Sequence, residues 1–232
     1  MEVDFHKIEK ILGLEFNNID LLKRALTHRS FLNEHKEWKK IGHNERLEFL
    51  GDSVLGLIVA DYLFKEYPNL REGELTALRA ALINSDFLLG VANELGLKKY
   101  LLVSKGEKDE LKKAHPYFLA NAIESIVGAI YLDKGFEEAK KFVEKHILLK
   151  AEAIFKNGAY KDPKSLFQEK SQAILNITPV YKTLSSKGPD HLKQFRVGVY
   201  LEKELIAKGE GYSKQEAEIN AAQEALSKKK WK

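Results

Sequence analysis

The chain of 232 residues is 44% hydrophobic and 31% charged, with 15 glycines and five prolines. This composition is typical of a globular protein and excludes disordered and collagen-like chains. Cysteine is absent, which excludes a disulfide framework, a thiolate metal site and a cysteine nucleophile. No apolar run reaches the roughly 18 residues that span a bilayer, and the N-terminus lacks the features of a secretory signal, so we expect a cytoplasmic protein without a membrane partner.

The positive charge lies in the C-terminal part. Residues 161–232 contain 14 Lys and Arg against nine Asp and Glu, a net charge of +5, whereas residues 1–160 contain 24 against 25, a net charge of −1. A basic segment attracts polyanions through counterion release, but a solubilising surface explains the same charge equally well. The acidic residues of the larger part need a separate explanation.

Residues 1–156 are predicted to form an all-α domain, because apolar residues recur at helical spacing along most of this stretch. Gly13 is expected to end the first helix, Ser85 to cap a later one and Gly96 to end that later helix. The predicted helices cover residues 5–12, 20–31, 45–67, 73–83, 85–95, 116–133 and 136–156, with a polar loop over 33–44 and an irregular segment over 97–113.

The pattern changes after residue 156. An Asn-Gly pair breaks the last helix, so residues 157–161 are predicted to form a linker. Residues 162–232 are predicted to form a small α+β domain in the order α-β-β-β-α. Asp162 and Pro163 open its first helix, and a capping box that begins at Ser213 opens its last. The predicted elements are a helix to residue 175, strands at 180–184, 195–201 and 204–209, and a helix to residue 229.

An acidic stripe runs along the apolar helix predicted at residues 45–67. Glu45, Glu48 and Asp52 lie at i, i+3 and i+7, on one face of this helix. Like charges at i and i+4 cost a helix roughly 0.2–0.5 kcal/mol, and no Lys or Arg is placed to relieve the Glu48–Asp52 pair. The stripe is either a solvated helix face or part of the ligand set of a hard cation, for which oxygen ligands favour Mg²⁺ or Mn²⁺.

A second apolar helix carries matching groups. Asn121 and Glu124 lie three residues apart on one of its faces, and Gly128 continues that face with a residue that lets another helix approach closely. If the two apolar helices pack together, Glu48 and Asp52 converge with this pair. Spacing alone leaves the solvated face as an equal alternative.

Several motifs resemble those of the ribonuclease III family. Residues 44–52 read NERLEFLGD, which matches the family signature without a mismatch. The stretches LTHRS at 26–30, REGELT at 71–76 and GAIYLD at 128–133 match in the same order. The C-terminal α-β-β-β-α segment resembles a double-stranded RNA-binding domain, with GPDH at 188–191 and GYSKQEAE at 211–218. The resemblance covers about residues 5–230.

The resemblance implies a Mg²⁺-dependent endonuclease, in which Mn²⁺ can substitute, acting in rRNA and mRNA precursor processing and decay. Metal-activated water would attack the phosphodiester on each strand of double-stranded RNA. It also implies no small-molecule cofactor and a homodimer formed through the helical domain. Phe49 matches the aromatic residue that the family inserts into its partner, although an ordinary core phenylalanine fits the sequence as well. The implied metal ligands are Glu48, Asp52, Asn121 and Glu124, and the implied catalytic residues are Asp52, Glu124, Glu45 and Glu72.

One position of the implied metal site departs from the family pattern. The family has Asp-x-x-Glu, whereas this chain has Asn121 three residues before Glu124. An amide oxygen can coordinate a cation or orient a water molecule, but it brings no charge. We therefore expect weaker metal binding or a shifted pH dependence of metal binding. Because the other acids are intact, we expect activity to be retained. The alternative is a catalytically impaired homologue that binds double-stranded RNA.

The tail domain is expected to recognise the shape of A-form RNA, whose shallow minor groove displays 2′-hydroxyls. By resemblance, its first helix and its first strand-to-strand loop contact minor grooves, and the N-terminus of its last helix contacts phosphates. Gln215 stands where the family usually has a second lysine, so one phosphate contact is expected to be weaker. DNA binding is disfavoured, since no helix-turn-helix pattern is present. The implied RNA-binding residues are Ser165, Gln168, Glu169, His191, Lys214 and Gln215.

Overall fold

The structure is a computed structural model that describes residues 3–110, 117–158, 160, 162–189 and 193–231. The chain divides into two compact units, Met1–Tyr160 and Lys161–Lys232, each with its own hydrophobic core. Within the described residues, no single helix is long and apolar enough to cross a membrane. The consecutive helices Glu72–Ile83 and Ser85–Glu94, bent by 42° at their junction, meet that test of length and composition only as a pair.

The first unit is all-α in its described residues, as predicted. Asp4 is the N-cap of α1, since its carboxylate accepts a hydrogen bond from the Lys7 backbone N–H, and Gly13 in the left-handed conformation (φ 76°) is the C-cap. Its helices are α1 (Phe5–Leu12), α2 (Ile19–Ala25), α3 (Phe31–Glu34), α4 (Glu45–Glu66), α5 (Glu72–Ile83), α6 (Ser85–Glu94), α7 (Lys105–Glu110), α8 (Tyr117–Lys134), α9 (Phe136–His146) and α10 (Ala151–Asn157).

The centre of this unit is the packed pair α4 and α8. The inward faces of both helices are apolar and buried, because they pack on each other and on neighbouring helices. α4 ends just before Pro68, which disfavours helical backbone in the residue that precedes it. The buried residues of the pair include Leu47, Val54, Leu55, Ile58, Val59, Leu119, Ile123, Ile126, Val127 and Ile130.

The predicted helix at residues 20–31 is too long. α2 stops at Ala25, and Thr27 instead forms a parallel bridge with Leu102. The backbone N–H of His28 donates to the Leu102 carbonyl at 2.9 Å, and the Leu102 N–H donates to the Leu26 carbonyl at 2.8 Å. This pairing joins residues far apart in sequence, so a local periodicity could not reveal it.

Other boundaries also differ from the predictions. The stretch 136–156 is broken after His146 by a 3₁₀ turn (Leu148–Lys150), which lets consecutive residues Ile147 and Leu148 both enter the core. Asn84 caps α6 instead of Ser85, because the Asn84 side chain accepts a hydrogen bond from the Phe87 N–H at 2.9 Å. The predicted loops contain 3₁₀ turns at Lys36–Lys40 and Leu97–Lys99, and α7.

The second unit has the predicted order α-β-β-β-α. The Asp162 carboxylate caps its first helix by accepting from the Ser165 N–H, and Ser213 caps its last by accepting from the Glu216 N–H. The Glu216 side chain accepts from the Tyr212 N–H, one residue earlier than a standard capping box. The elements are α11 (Pro163–Leu175), β1 (Val180–Lys187), β2 (Gln194–Leu201), β3 (Glu204–Gly211) and α12 (Lys214–Lys229).

The sheet of the second unit is antiparallel in the order β1-β2-β3. Its covered face packs on the two helices through Phe167 of α11, Val199 and Leu201 of β2 and the alanines of α12. Gly209 lets α12 lie directly on β3, since a Cβ there would come within 2.2 Å of the Ala221 backbone nitrogen. The predicted fold class, an all-α domain followed by an α-β-β-β-α domain, is confirmed.

Candidate active site

The two apolar helices cross at a pair of glycines. A Cβ on Gly51 would lie 1.7 Å from the Glu124 carbonyl oxygen, and a Cβ on Gly128 would lie 2.4 Å from the Leu47 carbonyl oxygen. Real side chains do not fit at either position, so the backbones of α4 and α8 touch where these glycines meet. The crossing therefore brings the acids that flank Gly51 next to Glu124.

Four of the predicted site residues lie at this crossing. Glu48 and Asp52 are on α4, three residues before and one residue after Gly51, and Asn121 and Glu124 are on the facing turn of α8. The Asn121 side-chain amide donates a hydrogen bond to Glu48 Oε1 at 3.0 Å. This bond links the two helices, and the side-chain oxygen of Asn121 could still serve as a ligand for a cation.

The electrostatics of this cluster show uncompensated negative charge. Burial raises the pKa of the Glu124 carboxyl to about 7, with further contributions from the charges of Asp52 and Glu48. The pKa of Glu48 is also raised, mainly by burial, with the Asn121 hydrogen bond opposing the shift and the charges of Glu45 and Asp52 adding to it. A site of this kind gains stability from a bound cation.

The donor set of the cluster fits a hard divalent cation, because it offers carboxylate oxygens from two helices and an amide oxygen. In the part of the chain that the structure describes, no three acidic or histidine side chains are already gathered closely enough to hold an ion. Glu48 is turned towards the Asn121 amide instead. Binding would therefore require changes of side-chain rotamer, while the backbone positions are set by the glycine crossing.

Glu45 lies at the start of α4, one turn before Glu48. Arg29 Nη1 lies 3.6 Å from Glu45 Oε1, and His43 Nδ1 lies 3.8 Å from Glu45 Oε2. Glu45 is therefore close enough for its charge to act on Glu48, and its own carboxylate lies beside two basic side chains.

Glu72 is not brought to this cluster within one chain. It begins α5, accepts a hydrogen bond from the Thr76 hydroxyl at 3.1 Å and lines a groove with Phe64 and Arg79. Residues 48 and 64 are separated by about 24 Å along a helix that rises roughly 1.5 Å per residue. The family resemblance implied that Glu72 belongs to the same cleft, but within the single chain it lies near Phe64, at the opposite end of α4.

Phe49 is not a core residue. Its side chain is 78% exposed, and two more large apolar side chains of α4 are also exposed, Leu57 by 60% and Phe64 by 73%. The interpretation of Phe49 as an ordinary core phenylalanine is therefore wrong. Single exposed apolar residues are common on protein surfaces, but three of them on one helix form an apolar surface of α4 (Phe49, Leu57 and Phe64) of the kind found at interaction sites.

The predicted RNA-binding residues of the second unit are exposed wherever the structure describes them. Ser165 and Gln168 of α11 line one depression together with Gln215 of α12, and the Ser165 hydroxyl donates to Asp162 Oδ2 at 3.0 Å. Glu169 is exposed on α11 and Lys214 is exposed at the first position of α12. His191 lies outside the described residues.

Sequence reasoning missed the basic side chains beside Glu45. Arg29 and His28 belong to the LTHRS motif, which carried the family resemblance but received no role of its own. His43 immediately precedes the NERLEFLGD signature, so its place next to Glu45 could have been anticipated from chain proximity. Nothing local indicated that residues 26–30 lie against the start of α4.

Both units match the models of known protein families. A family model described as Ribonuclease-III-like matches residues 18–151, and one described as Double-stranded RNA binding motif matches residues 163–229. The chain is 43% identical over 222 residues to Ribonuclease 3 of Leptospira interrogans, covering 96% of this chain and 89% of the relative. It is 46% identical over 215 residues to Ribonuclease 3 of Borreliella burgdorferi, covering 93% and 87% respectively.

A solved structure is also similar to the first unit. The nuclease domain of ribonuclease III from Campylobacter jejuni matches with a TM-score of 0.55 and 44% identity, covering 62% of this chain and 98% of that one. That structure is described as showing flexibility in a region involved in dimer formation.

Proposed function

The chain belongs to the ribonuclease III family and is a double-stranded RNA endoribonuclease, and we propose that it cuts with Mg²⁺ held where α4 and α8 cross. The observation that carries this proposal is the glycine crossing, which fixes Glu48 and Asp52 of one helix beside Asn121 and Glu124 of the other. Hard oxygen donors favour Mg²⁺, and Mn²⁺ has the same ligand preference, so we expect it to substitute.

The proposed roles follow from the positions of the side chains. Asp52 and Glu124 would hold the cation from two different helices, and Glu48 and the Asn121 carbonyl oxygen would complete the set. When bound, the cation supplies Lewis acidity towards water and the phosphodiester. The Asn121 amide orients Glu48 by its hydrogen bond. Burial, with the charges of Asp52 and Glu48, raises the pKa of Glu124 to about 7, so without a cation its carboxyl is partly protonated near neutral pH. Glu45 is proposed to act at the edge of the same cleft.

We propose a homodimer built on the apolar surface of α4. A pair of chains related by a two-fold axis would bury Phe49, Leu57 and Phe64 of both copies. If the two α4 helices run antiparallel, Glu72 of one copy comes close to the Glu48 end of the other. This arrangement would restore Glu72 to the cleft from which the single chain excludes it, and it would give each copy one cutting site.

The second unit is proposed to hold the duplex. Ser165, Gln168 and Gln215 form one polar surface, and Lys214 lies at the N-terminus of α12, where the helix dipole favours phosphate. Glu169 and His191 remain predicted contacts of the same surface. We propose, as predicted from the sequence, that residues 1–156 cut the RNA and that residues 162–232 bind the duplex.

The catalytically impaired alternative is not favoured by the similarity to named ribonucleases over nearly the whole chain. It predicts that the protein binds duplex RNA without cutting it and that Asn121→Asp restores cutting. Our proposal predicts that the natural chain already cuts.

The test is cleavage of a long duplex RNA with Mg²⁺ or with a chelator. We expect cutting only with the metal, and we expect Asp52→Asn to abolish it. Asp61→Asn is the matched control, because Asp61 lies nine residues further on the same helix and faces the opposite side, where it pairs with Lys65. Equal loss in the two variants, or unimpaired cutting by Asp52→Asn, would refute the proposed site.

A further inference from the structure

His28 is held in one orientation by a hydrogen-bond network. The Ser104 backbone N–H donates to Ser30 Oγ at 3.1 Å, and Ser30 Oγ lies 2.8 Å from His28 Nδ1. The Ser30 backbone N–H also points at His28 Nδ1, at 3.3 Å. The ring packs on Phe118, with 4.5 Å between the ring centroids.

This network fixes which ring nitrogen carries the proton. The Ser30 backbone N–H can only donate, so Nδ1 accepts its hydrogen bond and carries no proton, and the Ser30 hydroxyl is then the donor in its own contact with Nδ1. The neutral ring then has its N–H at Nε2. In the described part of the chain, no hydrogen bond from Nε2 is found. Nε2–H is therefore a donor in a fixed orientation, with no acceptor among the described residues.

The surroundings of the ring place it against the first turn of α8, close to the start of α4. Phe118 lies on α8 three residues before Asn121, which is the spacing of neighbours on one helix face. Burial lowers the pKa of the His28 ring and so favours its neutral form; the charges of Glu107 and Glu45 oppose this shift, and those of Arg29 and His43 add to it. The Arg29 side chain extends outwards and reaches only to 3.6 Å from Glu45.

From this geometry we propose that His28 contacts the substrate, donating its Nε2–H to a backbone oxygen of the RNA strand next to the cut. Arg29 would face the phosphates of the same strand. The inference rests on the proposed function and adds a contact supplied by the nuclease unit itself, within an otherwise acidic cleft. The acceptor is a phosphate oxygen or a ribose 2′-hydroxyl, both of which can accept this hydrogen bond.

The test compares three variants of the full chain. His28→Phe keeps a ring against Phe118 but removes the donor, whereas His28→Gln keeps an N–H donor at nearly the same distance from the backbone. His35→Phe is the matched control, because His35 is also a partly exposed histidine in ring contact with a phenylalanine, Phe31, with 4.0 Å between centroids. The readouts are kcat/KM on a short duplex, the thermal midpoint without RNA, and its shift on adding Mg²⁺.

We expect His28→Phe to lower kcat/KM by about tenfold, the effect of losing one hydrogen bond to the substrate. The Mg²⁺ shift of the thermal midpoint should stay as in the wild type even where the midpoint itself falls through loss of the Ser30 contacts, His28→Gln should recover most of the rate, and His35→Phe should have none of this effect. Unchanged kcat/KM in His28→Phe overturns the inference. So does a rate for His28→Gln as low as for His28→Phe, or a lost Mg²⁺ shift, because either indicates a purely structural role.

Modified substrates identify the acceptor. If it is a ribose, replacing the 2′-hydroxyl beside the cut by hydrogen removes the difference between wild type and His28→Phe; if it is a phosphate, replacing a non-bridging oxygen by sulfur reduces it. A difference that neither substitution changes overturns the contact. A wild-type chain that cuts no duplex with Mg²⁺ would refute the proposed function, whereas equal cutting by wild type and His28→Phe refutes this inference alone.

Discussion

The glycine crossing makes a quantitative prediction for Gly51→Ala. The new Cβ would sit 1.7 Å from the Glu124 carbonyl oxygen, whereas ordinary contacts begin at 3.4 Å, so the helices must separate by more than 1 Å. The obstructing atom is backbone, which cannot turn away as a flexible side chain can. Overpacking of a core costs about 1–3 kcal/mol and occasionally more, and we expect about 3 kcal/mol here because the core around the crossing must shift as a unit.

Gly90→Ala is the control for this substitution. Gly90 also lies inside a helix, α6, but no atom outside its chain neighbours and the backbone of that helix lies within 4 Å of its Cβ position. Replacing an unobstructed helical glycine by alanine stabilises a protein by about 0.5–1 kcal/mol. Urea unfolding measures both variants, and duplex cleavage measures the effect on the site.

The two substitutions should therefore move the free energy of unfolding in opposite directions. Gly51→Ala should also lose cleavage, because it displaces Glu124 from Asp52, whereas Gly90→Ala should keep it. A Gly51→Ala protein as stable as the wild type, or one that cuts at the wild-type rate, would refute the argument that backbone contact at this crossing assembles the site.

Four further predictions follow from single side chains. In metal-free protein, the raised pKa of Glu124 means that the free energy of unfolding should fall by about 1–2 kcal/mol, after allowance for solvent screening, as pH rises from about 4.5 through 7. Glu124→Gln should remove this loss in urea melts, and a variant with the same pH profile as the wild type would contradict the prediction. Asn121→Asp adds a fourth negative charge and should tighten Mg²⁺ binding by about tenfold in calorimetric titration, whereas weaker binding would show that the amide is the better ligand. Phe49→Ala should shift sedimentation towards monomer while Leu149→Ala, at an equally exposed position (78%), should not; equal behaviour of the two would exclude the α4 surface as the interface. Lys214→Ala should reduce the slope of the logarithm of the duplex-binding constant against the logarithm of salt concentration by about one unit. A slope identical to that of the wild type would show that this lysine contacts no phosphate.

Local signals in the sequence predicted most of the helix and strand positions. Gly13 ends α1, and Asp162 and Ser213 cap α11 and α12, because these residues satisfy backbone groups of their own turn. The failures occur where distant segments interact. Thr27 leaves the helix to pair with Leu102, and that pairing has no counterpart in the periodicity of residues 20–31.

The candidate site was only partly predictable for the same reason. The spacing of Glu48 and Asp52 indicated one helix face, and Gly128 indicated a close approach, but only the fold shows Gly51 meeting Glu124. The Asn121–Glu48 hydrogen bond and the distance of Glu72 from the cluster depend on how helices pack. Exposure of Phe49 was likewise undecidable locally, since an apolar residue on an apolar helix fits either a core or an interface.

The most direct measurement is the binding of Mn²⁺ to the full chain without RNA, followed by electron paramagnetic resonance. Binding should be present in the wild type, lost in Asp52→Asn and retained in Asp61→Asn, because only Asp52 lies at the crossing of α4 and α8. Equal Mn²⁺ binding by wild type and Asp52→Asn would contradict a metal site at this crossing.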